Sequence, residues 1–168
     1  MAREVISIFV DNQSNVLTRV ASLFGRRGFN IDSLTVSTTD DPKTSRITVV
    51  FDSNEANLEQ IMTQTAKLEV VKDIHRLKKA ESLYRELLLL KVECNQDIRS
   101  NIMEIVEIFR GKIISLNNEC MIIELTGAPE KIDGFLELLN TYNIMEICRT
   151  GMTAISRNAT GTASEDYD

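Results

Sequence analysis

The stretch Phe9–Phe51, FVDNQSNVLTRVASLFGRRGFNIDSLTVSTTDDPKTSRITVVF, changes its hydrophobic period twice. It is entered from a strand, VISIFV, in which little is polar; such a segment belongs in the middle of a sheet. Val16, Leu17, Val20, Leu23 and Phe24 then recur at helical spacing and make one apolar face. Ser14 is the expected N-cap, and Gly28 the residue that ends the helix with positive φ. FNIDSLTVSTT returns to strand alternation, with Leu34 and Val36 on one face. Asp40 or Asp41 with Pro42 drives a turn. SRITVVF, rich in β-branched residues, is the next strand.

Outward from there, Leu58, Ile61, Met62 and Thr65 line a second helix, and LEVVKDIHRL supplies a strand. The order is β-α-β-β-α-β, the ferredoxin-like split unit, with two helices on one face of an antiparallel sheet. The uncovered face needs a partner, and a second unit would provide one. After KKAESLY the pattern restarts. ELLLLKVEC reads as a strand. Ile98, Ile102, Ile105, Val106 and Phe109 mark a helix ending near Gly111. KIISL and ECMIIELTG flank a turn at Asn117-Asn118. Pro129 opens a helix bearing Ile132, Phe135, Leu136 and Leu139, and NIMEICRTGMTAI is the last strand. VASLFGRRGFNI and IVEIFRGKIISL share a helix end, Phe, a basic residue and Gly before a strand, a weak internal repeat. The expected class is α+β with two ferredoxin-like βαββαβ modules. The expected boundaries are 1–77, a linker at 78–84, a second module at 85–156 and a disordered tail at 157–168.

Composition narrows the function. A net charge of -6 disfavours nucleic acid as a partner. The absence of Trp and the 5% aromatic content leave few stacking surfaces. No run approaches 18 apolar residues, so no membrane span is expected, and the N-terminus does not read as a signal peptide. Cys94, Cys120 and Cys148 form no CxxC pair and read as reduced, partly buried thiols in a cytoplasmic protein.

Catalytic chemistry is sparse. His75 is the single histidine and reads as structural. Ser14, Ser22 and Ser33 lack a G-x-S-x-G or S-x-x-K setting. Asp40-Asp41 read as turn formers rather than metal ligands, and Glu55 and Glu59 as a solvated helix face. GRRG follows a helix and precedes a strand, the reverse of a dinucleotide fingerprint. No independent catalysis, no cofactor and no metal site are expected of this chain. Asn12, Ser14, Asn15 and Asn30 remain open: they are turn and cap residues, or they hold a ligand.

The run from Phe9 to Phe51, above all the Asn12 loop, LFGRRGFNIDSLTV and the TDDP turn, closely resembles the ACT domain of the regulatory (small) subunit of acetohydroxyacid synthase, also called acetolactate synthase. RELLLLKVEC and NIMEIVEIFRGKI are similar to the second domain of that family. The resemblance spans residues 3–156. It implies a non-catalytic homodimer that stimulates a catalytic large subunit and confers feedback inhibition by valine or a related branched-chain amino acid. Thiamine diphosphate and Mg, with FAD as a further candidate, would belong to that partner. The alternatives are a constitutive activator without valine sensitivity and an ACT-type amino-acid sensor for another partner. The resemblance assigns the effector site to Asn12, Ser14, Asn15, Val16, Asn30 and Ile31, with Asn30 reaching a site shared across the dimer. The free N–H groups of the helix start suit the effector's carboxylate. Valine-sensitive members commonly carry glycine where this chain has Asn15.

Overall fold

A computed structural model describes residues 2–158. The chain divides into two compact units. One comprises the chain up to Leu83 together with the segment from Met152 onward; the other is Tyr84–Gly151. The second unit is thus an insertion into the first. This partition differs from the expected boundaries: residues 152–156 belong with the first unit. The expected linker holds a short 3-10 turn at Lys79–Glu81 and the first residues of a strand. Of the tail expected to be disordered, residues 159–168 lie outside the described residues.

The first unit runs β1 (Ala2–Asp11), α1 (Val16–Arg26), β2 (Ile31–Thr38), β3 (Thr44–Ser53), α2 (Glu55–Ala66), β4 (Val71–Arg76). Its sheet has the antiparallel order β2-β3-β1-β4. The apolar strand β1 is central, and β2 is an edge. Ile6, Ile8, Val10, Ile47, Val49 and Phe51 face the helices, packing on Val16, Val20, Phe24, Leu58 and Ile61.

α1 ends in a Schellman motif. Gly28, at φ 76°, donates its N–H to the Gly25 carbonyl (3.0 Å), and Phe29 donates to the Phe24 carbonyl (3.1 Å). The accompanying apolar contact is the edge-to-face pair Phe24–Phe29, with centroids 6.3 Å apart. Phe51 closes the trio at 5.3 and 5.5 Å. These rings fix the chain just before Asn30. A bulge between Ile31 and Ser33 follows. It keeps Ile31 and Leu34 on the helix side and turns Ser33 and Thr35 to the other face.

That other face is not left bare. Val5, Ser7, Thr48, Val50 and His75 on it are all buried. His75 sits edge-on to Phe9 and pairs with Asp73 at 2.7 Å, a structural setting. Part of the cover comes from the chain's own C-terminal segment. The expected single last strand is broken into β8 (Ile144–Arg149) and β9 (Thr153–Ser156). Met152, between them, is held by side chains of β2.

The second unit contains β5 (Ser82–Glu93, whose first two residues lie in the first unit), α3 (Gln96–Ile108), β6 (Lys112–Leu116), β7 (Cys120–Gly127), α4 (Pro129–Leu139) and β8. Its strand order is β6-β7-β5-β8, with β9 paired to β5. The core is Leu88, Leu90, Val92, Ile102, Val106, Met121, Ile123, Leu125, Ile132, Phe135 and Leu139. Pro129 stands at the start of α4 as expected. The α3 end repeats the Schellman bonds (Arg110 N–H to Glu107 O, 2.9 Å; Gly111 N–H to Val106 O, 2.8 Å), but Arg110 rather than Gly111 takes the positive φ of 55°. Of the cysteines, Cys94 is buried and Cys120 half-buried, whereas Cys148 is exposed on the edge strand β8.

Candidate functional site

The loop between β1 and α1 is tied to the β2–β3 turn. Asn12 donates its backbone N–H to the Lys43 carbonyl (2.8 Å) and its Nδ2 to the Pro42 carbonyl (2.9 Å). The turn is built on Asp41, not Asp40. The Asp41 carboxylate accepts from the Lys43 N–H (3.0 Å) and the Thr44 hydroxyl (2.7 Å). Those bonds, the backbone one foremost, hold its pKa below the usual carboxylate value. With Nδ2 committed, the Asn12 side chain has Oδ1 left as an acceptor suited to an ammonium group.

The N-cap of α1 is Asn15, not Ser14 as expected. Asn15 adopts φ 67°, ψ 2° and its side chain makes no capping bond. This is the left-handed region that glycine enters freely and asparagine better than most residues. The first turn also carries no acidic side chain. The helix start therefore keeps backbone donors and a positive dipole end without an internal counter-charge. Val16 is buried beneath it in the core.

Asn30 is elsewhere. It is exposed and donates Nδ2 to Asp32 Oδ1 at 2.9 Å. Ile31, opposite Phe51, is half-buried on the core. Asn12 follows Asp11, which lies opposite Thr44, so seven positions of β3 separate the two ends. At strand spacing that is about 23 Å. The structure brings Asn12, Ser14, Asn15 and Val16 together and leaves Asn30 and Ile31 at the far end of the same sheet.

An open pocket of about 510 Å³ lies at neither place. It is lined by Phe9, Ser37, Thr38, Thr39, Asp40, Asp41, Thr44 and Arg46. Phe9 and Arg46 face away from α1, so this hollow is distinct from the helix start. Arg46 stacks over Phe9 (5.3 Å), donates Nη2 to the Ala154 carbonyl (2.6 Å), and has its charge disfavoured by burial. Sequence reasoning missed Ser33, Thr35 and Arg46 as holders of the C-terminal segment, because nothing local to β2 or β3 signals a partner more than a hundred residues away. Glu55 is exposed, as expected of a solvated helix face, and also accepts from Arg76 beside Glu4. Among the described residues no cluster of three or more metal-ligating side chains occurs, and no helix is long and apolar enough to cross a membrane.

Two family models account for nearly all of this architecture. Residues 6–73 match the AHAS small subunit-like ACT domain, and residues 85–158 match the small subunit of acetolactate synthase. A probable acetolactate synthase small subunit of Methanothermobacter thermautotrophicus is 42% identical over 92% of this chain and 93% of its own length. The chain belongs to the acetolactate synthase small-subunit family. The small subunit of Mycolicibacterium smegmatis is 41% identical, over 93% of this chain and 92% of its own length. The solved small subunit from Thermotoga maritima superposes with a TM-score of 0.88 at 38% identity, covering 94% of this chain and 99% of that one. Family membership makes the chain a regulatory subunit, not a catalyst. In these acetolactate synthase small-subunit terms, β1 to β4 form the ACT domain, and the α1 start and Asn30 lie at its two ends.

Proposed function

We propose that the chain stimulates the thiamine-diphosphate-dependent large subunit of acetolactate synthase and confers feedback inhibition by valine, acting as a cytoplasmic homodimer. The observation that carries the valine site is the separation of Asn12 and Asn30 along one sheet whose β2 is a free edge. An edge strand offers unpaired N–H and C=O groups to a second copy. When β2 pairs antiparallel with itself, the Asn30 end of one protomer lies beside the Thr38 end of the other. That end carries the Asp41 turn, and Asn12 is bonded to the turn. Two equivalent sites follow from the two-fold axis. In each, the α1 start receives the carboxylate of valine, Asn12 Oδ1 its ammonium, and Asn30 of the other protomer closes the site. Ser14, Asn15 and Val16 shape the near wall, with Ile31 beside Asn30.

Inhibition requires valine to bind two states of the dimer unequally. A coupling of about 1–3 kcal/mol corresponds to roughly 5- to 150-fold modulation. Reconstitution with a large subunit tests the reading: acetolactate formation should rise with this chain and fall when valine is added. No stimulation would refute the subunit role. Stimulation without valine heat in calorimetry, and without inhibition, would leave a constitutive activator.

A further inference from the structure

The chain that emerges from the second unit at Gly151 is received by the edge strand of the first. Met152 donates its N–H to Ser33 Oγ at 2.6 Å, and its carbonyl accepts from Thr35 Oγ1 at 2.7 Å. Both main-chain polar groups of one residue are thus held by two hydroxyls two positions apart on one face of β2. Two residues on, the Ala154 carbonyl accepts from Arg46 Nη2 at 2.6 Å. Met152 and Ala154 are only 2% and 4% exposed. The segment is then tied off: the Arg157 N–H donates to the Glu81 carbonyl (2.8 Å). Glu81 immediately precedes the strand by which the chain enters the second unit. Both connections to that unit therefore meet inside the first, and one of them is fastened to β2.

The placement of the hydroxyls gives this fastening a use. β2 begins at Ile31, next to Asn30, and Ser33 is the first residue past the bulge. Only Asp32, at the bulge, separates Ile31 from Ser33, so a change in the course of the chain at Asn30–Ile31 reaches Ser33 and Thr35 through the backbone of β2. We propose that residues 152–156 form a strap, latched by Ser33 and Thr35, that conveys the state of β2 to the chain leading into the second unit. This rests on the reading of Asn30 and Ile31 as effector residues. The strap provides one main-chain connection between the effector end of β2 and the inserted module. Its bonds to the first sheet are three, all made by side chains of β2 and β3 rather than by a backbone ladder, so they can open without unfolding either core.

The test uses the full chain, alone and reconstituted with a large subunit. S33A/T35V removes both hydroxyls with little change of shape, and S33T/T35S keeps them. Without valine, S33A/T35V is expected to raise amide exchange at residues 153–156 about tenfold, with β1 and β7 amides unchanged. Its valine affinity by calorimetry should stay within about twofold of the parent, while the valine concentration for half-inhibition rises at least about fivefold. S33T/T35S should restore both readouts. Unchanged exchange at 153–156 overturns the latch, and faster exchange with an unaltered inhibition curve overturns the coupling. Absence of valine heat in the parent chain refutes the effector reading instead, and with it the coupling; the exchange comparison then decides the latch by itself.

Discussion

Asn15 and Asn95 stand at the same point of the two modules, immediately before the first helix, and only Asn95 makes capping bonds with its side chain. Its Oδ1 accepts from the Asp97 N–H (3.0 Å) and the Ile98 N–H (3.1 Å) with an extended backbone at φ -96°. Asn15 is left-handed and makes no such bond. One asparagine satisfies its helix; the other leaves the donors open. Asn95→Ala should therefore destabilise the protein by about 1 kcal/mol, in the usual range for a lost N-cap. Asn15→Ala loses no capping bond and should act through backbone strain alone. Urea unfolding of the two variants measures the contrast, and equal m-values would make the midpoints comparable.

Asn15→Gly isolates the backbone from the side chain. The residue already has the φ that glycine prefers, so the loop geometry should persist and stability should change by no more than about 1 kcal/mol. What changes is the space at the helix start. If the Asn15 amide crowds the effector, the glycine variant binds valine more tightly and is inhibited at lower concentration. If the amide contacts the effector, affinity falls. An unchanged inhibition curve would remove Asn15 from the site.

The end of α3 shows a division of labour that a motif alone hides. Gly111 does not supply the positive φ; a Cβ there would meet Val106 Cγ1 at 3.1 Å and the Glu124 carbonyl at 3.4 Å. The glycine lets the helix end approach β7. The left-handed position is Arg110. Arg110→Gly should stabilise the second unit by about 0.5–1 kcal/mol by relieving that conformation. Gly111→Ala should destabilise it, since the buried Val106 side chain, 3.1 Å from the added Cβ, must give way within the core. Thermal denaturation of both variants would expose a reversed order.

Much of the fold could be read from the chain because periodicity and turn chemistry agreed over long runs. The β1-to-β4 pattern, Gly28 as helix stop, Pro129 as helix start and the Asn117 turn all follow from local preferences. The break between β8 and β9 did not, because the cause is 117 residues away: Thr35 holds the Met152 carbonyl, and nothing near Met152 signals it. Ser14 and Asn15 are both good capping residues, and choosing between them needs a dihedral. Asn12, Ser14, Asn15 and Val16, the proposed near wall, adjoin in sequence and in space. Asn30 is distant within one chain, so the proposed shared site depends on pairing across the β2 edge.

Acid should loosen the Asn12 loop through Asp41. The folded carboxyl has a pKa below its ordinary value of 3.8, chiefly through the Lys43 N–H and then the Thr44 hydroxyl. Its contribution is therefore complete above the ordinary value and is lost as pH falls through the folded one. Carbon-detected NMR titration should find Asp41 still ionised below the ordinary carboxylate value. Amide exchange at Lys43, corrected for its pH dependence, should accelerate over the same interval. Asp41→Ala should show that faster exchange already at neutral pH, and an unaltered rate would refute the turn's dependence on the carboxylate.

Arg76 and Arg149 make the same bridge in the two modules, each from the end of a strand to a glutamate on the central strand and an acid on a helix. Arg76 forks onto Glu4 with two bonds of 2.9 Å and reaches Glu55. Arg149 holds Glu86 at 2.7 Å through Nε and Asp133 at 2.7 Å through Nη1. Burial opposes each guanidinium charge, but the carboxylates outweigh it and raise both pKa values. The carboxylates differ in depth: the Glu86 side chain is 3% exposed and that of Glu4 10%. Removing the arginine strands a buried charge, at a cost of about 3 kcal/mol for Glu86 and less for Glu4. Arg149→Met should thus destabilise more than Arg76→Met. Adding Glu86→Leu to Arg149→Met should recover most of the loss, because an apolar pair needs no counter-charge. Chemical denaturation of the single and double variants gives the interaction energy directly, and a double variant no more stable than R149M would show that the cost lies in packing rather than in stranded charge.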